Sequence, residues 1–228
     1  MQIENSGAEA GPLARSNWFS SRTLAFRKDL LAQTSRKYFK ANDTIYGFAA
    51  RADGAYGVLS GSIRISIPSD DGQEFIAHRE GQGFWFGDLA VLSNSPRLIT
   101  VAANEDTECL FVPETRINQM VSRTPQYFRD FYALTQENMQ TVLSLLANLG
   151  VSNSERRLIL RLLFLEEKLV TPGQWIPVSQ SDLAEMTAIS LPTVQRILRR
   201  LCKSNLVDLG YSRLRIGNRK ALLRACQS

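Results

Sequence analysis

Apolar positions along this chain change their period several times, and each change marks an element. Over residues 18–33 they fall at Trp18, Phe19, Leu24, Phe26, Leu30 and Leu31, the spacing of a helix. From about residue 38 to residue 113 the texture turns to short alternating stretches cut by Gly, Asp and Asn. Strands are predicted over 44–48, 56–59, 62–67, 74–78, 100–103 and 108–112. Asp70-Asp71-Gly72-Gln73 carries the Asp-Gly signal of a hairpin turn between the third and fourth of these. Short strands at this spacing, with no helices between them, predict an antiparallel sandwich or roll. Residues 1–16 have little pattern and read as a loose tail.

Helical spacing resumes over 114–121, stops near Thr124-Pro125, and restarts as one long helix to about residue 149. The apolar residues of this helix include Phe128, Phe131, Leu134, Met139, Val142, Leu143, Leu145, Leu146 and Leu149. Met139, Val142, Leu146 and Leu149 are spaced by three, four and three, which is a coiled-coil seam. The other apolar residues make the stripe too wide for one neighbour. The simplest arrangement sets the roll on one side and a second copy of the helix on the other, with Phe131, Met139, Val142, Leu146 and Leu149 facing that copy. Burial within a single chain is the alternative. Gly150-Val151-Ser152-Asn153 reads as a hinge and 154–169 as a further helix. Thr171-Pro172-Gly173 is a turn leading to a short strand, Trp175-Ile176-Pro177. The boundaries that follow are a tail over 1–17, a β-roll with flanking helices over 18–124, a dimerisation helix over 125–150 and a last domain over 151–228.

Residues 178–201 predict two short helices joined by a tight turn. Ser179 is a suitable N-cap, with Asp182 as the acid of a capping box. Ser190 is a second N-cap, and Pro192 falls in the first turn, where proline is tolerated. Val194, Ile197, Leu198 and Leu201 make one apolar face. The opposite face carries Thr193, Gln195, Arg196, Arg199 and Arg200, side chains that suit phosphates and base edges in a DNA groove. This is the pattern of a helix-turn-helix whose second helix reads DNA. Residues 206–209 and 213–216 then alternate as strands around a Gly210-Tyr211-Ser212 turn, a wing beside the reader helix. Leu191, Thr193, Gln195 and Arg196 are the candidates for base edges or adjacent phosphates. Arg199, Arg200, Lys203 and the wing residues Arg213 and Arg215 are the candidates for phosphates, and Ser179, Gln180 and Ser190 are further DNA-binding candidates. A surface helix pair with a solvated basic face is the bland alternative.

Charge sharpens the picture. The net charge of the 228 residues is +5. Residues 154–228 hold 13 basic and 6 acidic side chains, whereas residues 1–153 hold 14 basic and 16 acidic. From residue 190 onward there are nine Lys or Arg against a single acid, Asp208. Only the C-terminal third is therefore fitted to a polyanion. No signal peptide and no membrane-length apolar run is evident, so a cytoplasmic protein without membrane contact is expected. Cys109, Cys202 and Cys226, odd in number and far apart, read as reduced thiols.

The order helix, roll, long helix, hinge, winged helix-turn-helix, together with Phe-Gly-Asp-Leu-Ala-Val-Leu-Ser-Asn-Ser-Pro-Arg over 86–97, resembles the superfamily of the cyclic AMP receptor protein and the fumarate–nitrate regulator. The resemblance spans about residues 18–223. It implies an α+β fold with an N-terminal antiparallel jelly-roll of the cyclic-nucleotide-binding type, a long dimerisation helix and a C-terminal winged helix-turn-helix. It also implies a homodimeric bacterial transcription regulator, not an enzyme, that binds a palindromic operator in double-stranded DNA and has RNA polymerase as a further partner. In the family's nucleotide binders a Gly-acid-Leu turn faces the ribose and an Arg takes the cyclic phosphate. Gly87, Asp88 and Leu89 hold the turn here, and Arg97 holds the phosphate position. A guanidinium fork matches phosphate oxygens. The chain departs from the pattern in three places: Asp88 replaces a Glu, Leu98 replaces a small residue, and Val142 and Leu143 stand where hydroxyls meet the base. A cyclic nucleotide is thus one candidate effector, and a structural Asp88–Arg97 pair without nucleotide is the other reading. At the reader helix, Leu191-Pro192 precedes Thr193-Val194 where the catabolite activator has Arg and Glu, so the operator should differ. Ala188 stands where a turn glycine is common.

Other chemistries find little support. An iron–sulfur sensor needs an N-terminal thiolate cluster, and no cysteine precedes Cys109. A haem sensor needs axial ligands, and the single histidine, His78, is expected as an exposed polar residue on a hairpin strand. Cys202, just past the reader helix, reads as a plain, partly buried thiol. A cupin-like metalloenzyme would need several histidines. A cyclic-nucleotide-binding module acting on a protein partner would not need the basic wing.

Overall fold

A computed structural model of the chain describes residues 17–68, 74–167 and 173–227. These fall into two compact units, one ending at Thr141 and the other beginning at Val142.

The first unit opens with two helices, α1 (Asn17–Ser20) and α2 (Leu24–Ala32). The single helix expected over 18–33 is split because Thr23 is extended and caps α2, its side chain accepting from the Phe26 amide at 3.3 Å. Eight strands follow: β1 (Ser35–Phe39), β2 (Thr44–Tyr46), β3 (Gly54–Ser60), β4 (Ser62–Pro68), β5 (Glu74–Gly81), β6 (Trp85–Phe86), β7 (Thr100–Ala103) and β8 (Thr107–Pro113). They pair antiparallel in two sheets, ordered β1-β8-β3-β6 and β2-β7-β4-β5. The expected Asp70–Gln73 turn lies outside the described residues. A short helix, α3 (Asp88–Ser93), interrupts the strands where none was expected.

Period two explains why β3 and β8 read as apolar runs and not as alternating strands. Tyr56, Val58, Cys109 and Phe111 belong to a core with Ile63, Phe86 and Val101 from both sheets. Their neighbours Ala55, Leu59, Leu110 and Val112 belong to a second core, with Trp18, Phe26, Leu30 and Trp85. Both faces of these central strands are therefore covered. His78, expected on the surface, is only 2% exposed, and its Nε2 lies 2.9 Å from Glu80 Oε1. On β5 it falls on the face turned away from water.

Next come α4 (Glu114–Arg123) and the long helix α5 (Tyr127–Leu149). Tyr127, Phe131 and Leu134 of α5 join the core around Trp18 and Phe26. Phe131 lies 5.3 Å from the Phe26 ring and 6.3 Å from Trp18, centroid to centroid, and is 1% exposed. It is therefore a core residue and not part of a face for a second copy. Met139, Val142, Leu143 and Leu146 stay about half exposed, and Leu149 is intermediate.

The second unit comprises α6 (Ser154–Glu167), α7 (Gln180–Thr187), α8 (Leu191–Lys203), the hairpin β9 (Val207–Gly210) and β10 (Arg213–Ile216), and α9 (Arg219–Gln227), as well as the end of α5. Its core joins Leu158 and Leu162 of α6, Leu183 and Met186 of α7, the α8 face and Leu214 and Ile216 of the wing. Burying Val194, Ile197, Leu198 and Leu201 stabilises the unit by roughly 1.5–3 kcal/mol per side chain before entropy is counted. The expected strand at Trp175–Pro177 reduces to one bridge, in which Ile176 and Leu214 exchange backbone hydrogen bonds at 2.7 and 3.0 Å.

Candidate nucleic-acid interface and effector turn

The capping box at α7 is complete: the Asp182 amide donates to Ser179 Oγ at 3.1 Å, and the Ser179 amide donates to Asp182 Oδ2 at 3.0 Å. The turn after α7 passes through Ala188 with φ +50, a left-handed conformation that favours glycine. Ser190 precedes α8, but its hydroxyl donates to Thr193 Oγ1 at 2.9 Å instead of capping a backbone amide. Its carbonyl accepts from the Thr193 and Val194 amides, which still fixes the first turn.

The wholly buried apolar face of α8 dictates the opposite one. Leu191, Arg196, Arg199, Arg200 and Lys203 are exposed, and Thr193 and Gln195 partly so. Arg200 ion-pairs with Glu155, so part of its charge is satisfied within the protein. A groove of about 350 Å³ between α7, the start of α8 and the wing is lined by Ser179, Gln180, Leu191, Gln195, Tyr211 and Arg213, among others. On the wing, Leu214 and Ile216 point inward and Arg213 and Arg215 outward. Both guanidiniums lie against the Trp175 ring, at 4.7 and 5.2 Å from its centroid. Arg215 also donates from Nε and Nη2 to Asp208 Oδ2, at 3.1 and 2.7 Å. Trp175, which both guanidiniums touch, and the wing-tip Tyr211, which is 97% exposed, were not among the residues singled out by the sequence pattern.

In the roll, the candidate effector residues are placed by the turn between β6 and α3. Gly87 has φ +88, and a Cβ there would sit 2.8 Å from Arg97 Nη1, so the turn requires glycine. Arg97 is 2% exposed. It donates from Nη1 to the Gly87 carbonyl at 2.6 Å, and from Nη2 to the Gly54 carbonyl and Asp53 Oδ1, both at 2.7 Å. Its guanidinium carbon lies 4.1 Å from the Tyr46 ring centroid. Asp53 in turn accepts from the Tyr56 hydroxyl at 2.5 Å and lies 3.6 Å from Lys37 Nζ. Burial pushes the Tyr46 and Tyr56 phenols up, so both are neutral at physiological pH.

Asp88 is also buried, but it bonds elsewhere. Thr135 Oγ1 donates to its Oδ2 at 2.5 Å and Asn138 Nδ2 to its Oδ1 at 3.2 Å, both from α5. The direct Asp88–Arg97 pair is thus replaced by two separate sets of partners. Burial holds the Asp88 carboxyl above its ordinary range, and the bonds from Thr135 and Asn138 oppose the shift. Leu89 and Leu98 are exposed, as are Val142 and Leu143. The polar residues of α5 that meet the turn are Thr135 and Asn138, also missed from sequence. Nothing local marked them, because Gln136, Glu137, Gln140 and Thr141 are equally polar neighbours on the same helix.

A family model for the cyclic nucleotide-binding domain matches residues 36–124, and one for the Crp-like helix-turn-helix domain matches residues 156–225. Together they span more than half of the chain. The chain belongs to the CRP/FNR family of transcription regulators. Among its relatives, the cAMP-activated global transcriptional regulator CRP of Pasteurella multocida is 23% identical over 175 residues, covering 75% of this chain and 84% of that protein. The cyclic AMP receptor protein of Thermus thermophilus is 25% identical over 180 residues, covering 79% and 82%. Among solved structures, FixK2 from Bradyrhizobium japonicum has a TM-score of 0.75 at 22% identity, over 84% of this chain and 96% of that one. The chain is thus a DNA-binding transcription regulator, and neither a cupin-like enzyme nor a module for a protein partner is favoured. No described helix is long and apolar enough to cross a membrane.

Proposed function

We propose that this CRP/FNR-family regulator works as a homodimer that reads a palindromic operator, with a signal at the roll governing DNA binding. The observation that carries the reading is the exposed face of α8, where Thr193, Gln195, Arg196 and Arg199 stand opposite four fully buried apolar residues. Arg196 and Gln195 read base edges, with Leu191 against a thymine methyl. Arg199, Lys203 and Arg213 hold phosphates, as do Arg200 and Arg215 to the extent that Glu155 and Asp208 release them. The half-exposed row Met139, Val142, Leu143 and Leu146 on α5 supports pairing with a second copy. RNA polymerase at the promoter and a cytoplasmic setting complete the reading.

A cyclic nucleotide is the effector that the names of the relatives suggest, and the residues present do not fit it as they stand. The charge of Arg97 is met by Asp53, and Asp88 is bonded to Thr135 and Asn138. Val142 and Leu143 offer a base no hydrogen bond.

Selection of bound duplexes from a random pool, followed by footprinting, tests the proposal. A palindrome with half-sites about 10 base pairs apart is expected. Enrichment of no sequence over the pool at physiological salt would refute it.

A further inference from the structure

A guanidinium as deeply buried as that of Arg97 must keep a counter-charge and good hydrogen bonds. Two of its three acceptors, the Gly54 and Gly87 carbonyls, belong to the backbone of β3 and of the turn before α3 and cannot leave. The third is the Asp53 carboxylate, whose side chain is 47% exposed and is the one acceptor on the solvent side. Arg97 Nε has no hydrogen-bond partner among the described residues. An oxyanion entering from solvent would gain Nη2 and Nε together, but only by displacing Asp53.

Asp53 is not loosely held. It takes Arg97 on one oxygen and the Tyr56 hydroxyl on the other, with Lys37 Nζ beside it. The Lys37 ammonium is itself fixed over the Phe111 ring, 3.4 Å from the centroid. The carboxylate thus serves two cations and a phenol, much as a bound phosphate would.

We propose that Asp53 is the specificity-determining residue of this roll: its carboxylate occupies the anion position on Arg97 and thereby closes the roll to cyclic AMP and cyclic GMP. The mismatch at the phosphate position is then written into the chain as one acidic side chain beside Gly54. Removing the carboxylate opens a place for a phosphodiester between Arg97 and Lys37. The inference rests on reading the roll as the effector unit of a CRP/FNR regulator.

The test is calorimetric titration of the full chain with cyclic AMP and cyclic GMP, comparing wild type, Asp53→Ala and Asp53→Asn. Thermal melts establish that each variant is folded. Asn keeps the shape of the side chain and serves if the Ala variant does not fold. Wild type should give no heat, and at least one folded variant should bind about 100-fold or more tightly, because the buried Arg97 guanidinium then has no carboxylate competing with the phosphate. Adding Arg97→Ala to that variant should abolish the heat. Tight binding by wild type that weakens in the variants would overturn the proposal, making Asp53 a residue that positions Arg97 for the ligand. Silence from wild type and every folded variant would overturn it equally, because something other than Asp53 would be closing the site. Operator binding by the same wild-type preparation, measured without nucleotide, keeps the two readings apart: its failure counts against the proposed function and leaves the nucleotide comparison readable.

Discussion

Thr135 of α5 donates its hydroxyl to the carboxylate of Asp88 at 2.5 Å, across 47 residues of sequence. This bond and the one from Asn138 tie the first residue of α3 directly to the long helix. Hydrogen bonds to a charged, buried acceptor are worth about 1.5–3 kcal/mol each. Thr135→Val keeps the side-chain volume and removes the donor. It should lower unfolding stability by an amount in that range, read from urea midpoints at neutral pH. A change within error would mean that Asp88 finds another donor.

The same carboxyl sets a pH dependence. Burial raises the folded-state pKa of Asp88 above its unfolded value. Between the two values the folded chain holds the extra proton, so stability falls as pH rises through that window. Below the ordinary carboxylate range the cost is absent, and above the raised value it is fully present. Asn at this position does not titrate. Urea unfolding of wild type and Asp88→Asn across a pH series should therefore show wild type losing ground to the variant as pH rises. A flat difference, or one of opposite slope, would show that Thr135, Asn138 and Arg97 outweigh desolvation.

On the reader helix, Arg196→Ala and Arg199→Ala should behave differently. Losing a bidentate base contact costs about 1–3 kcal/mol and relaxes preference at one operator position. Losing a phosphate contact weakens binding to all sequences and reduces the salt slope by about 1. Arg199 suits the second role better than Arg200, which is already paired with Glu155. Titrations on operator and on random duplexes at several salt concentrations separate the cases. If both variants lower specific and random binding alike, Arg196 does not read a base.

The helix-turn-helix was legible in the sequence because its signals are local. Ser179 and Asp182 are three apart, the apolar positions of α8 recur at helical spacing, and Arg213 to Ile216 alternate as a two-faced strand should. The roll was legible as a class, since its strands and turns follow one another closely. Its site was not. Asp53 and Arg97 lie 44 residues apart, and nothing local to either marks the pairing. Periodicity places Phe131 on the outer stripe because helical spacing cannot tell a core that faces Trp18 from one that faces a second copy. Trp85-Phe86 is too short a strand to show a period. His78 looked exposed because a lone polar residue in a strand usually is, yet here Glu80 is its buried partner.

The exposed row on α5 gives a prediction about assembly. Met139 and Leu146 are 47% and 64% exposed, so charging them disturbs little within one chain. Between two copies the same change would bury unpaired carboxylates, which is strongly unfavourable. Met139→Asp combined with Leu146→Asp should shift the protein to monomers in light scattering while the thermal melt at the same concentration remains cooperative. A persistent dimer would remove this stretch of α5 from the interface.

The wing separates charge from its positioning. Arg213 and Arg215 both rest against Trp175, and such stacking over a tryptophan is worth about 0.5–1 kcal/mol at exposed sites. Trp175→Ala leaves both charges in place but frees their side chains, so ordering them on DNA costs more entropy. DNA affinity should fall modestly with the salt slope unchanged. Arg213→Ala removes a charge and should reduce the slope by about 1. Measured over a salt series on one duplex, a change of slope in the Trp175 variant, or none in the Arg213 variant, would show that the wing does not meet phosphates in this way.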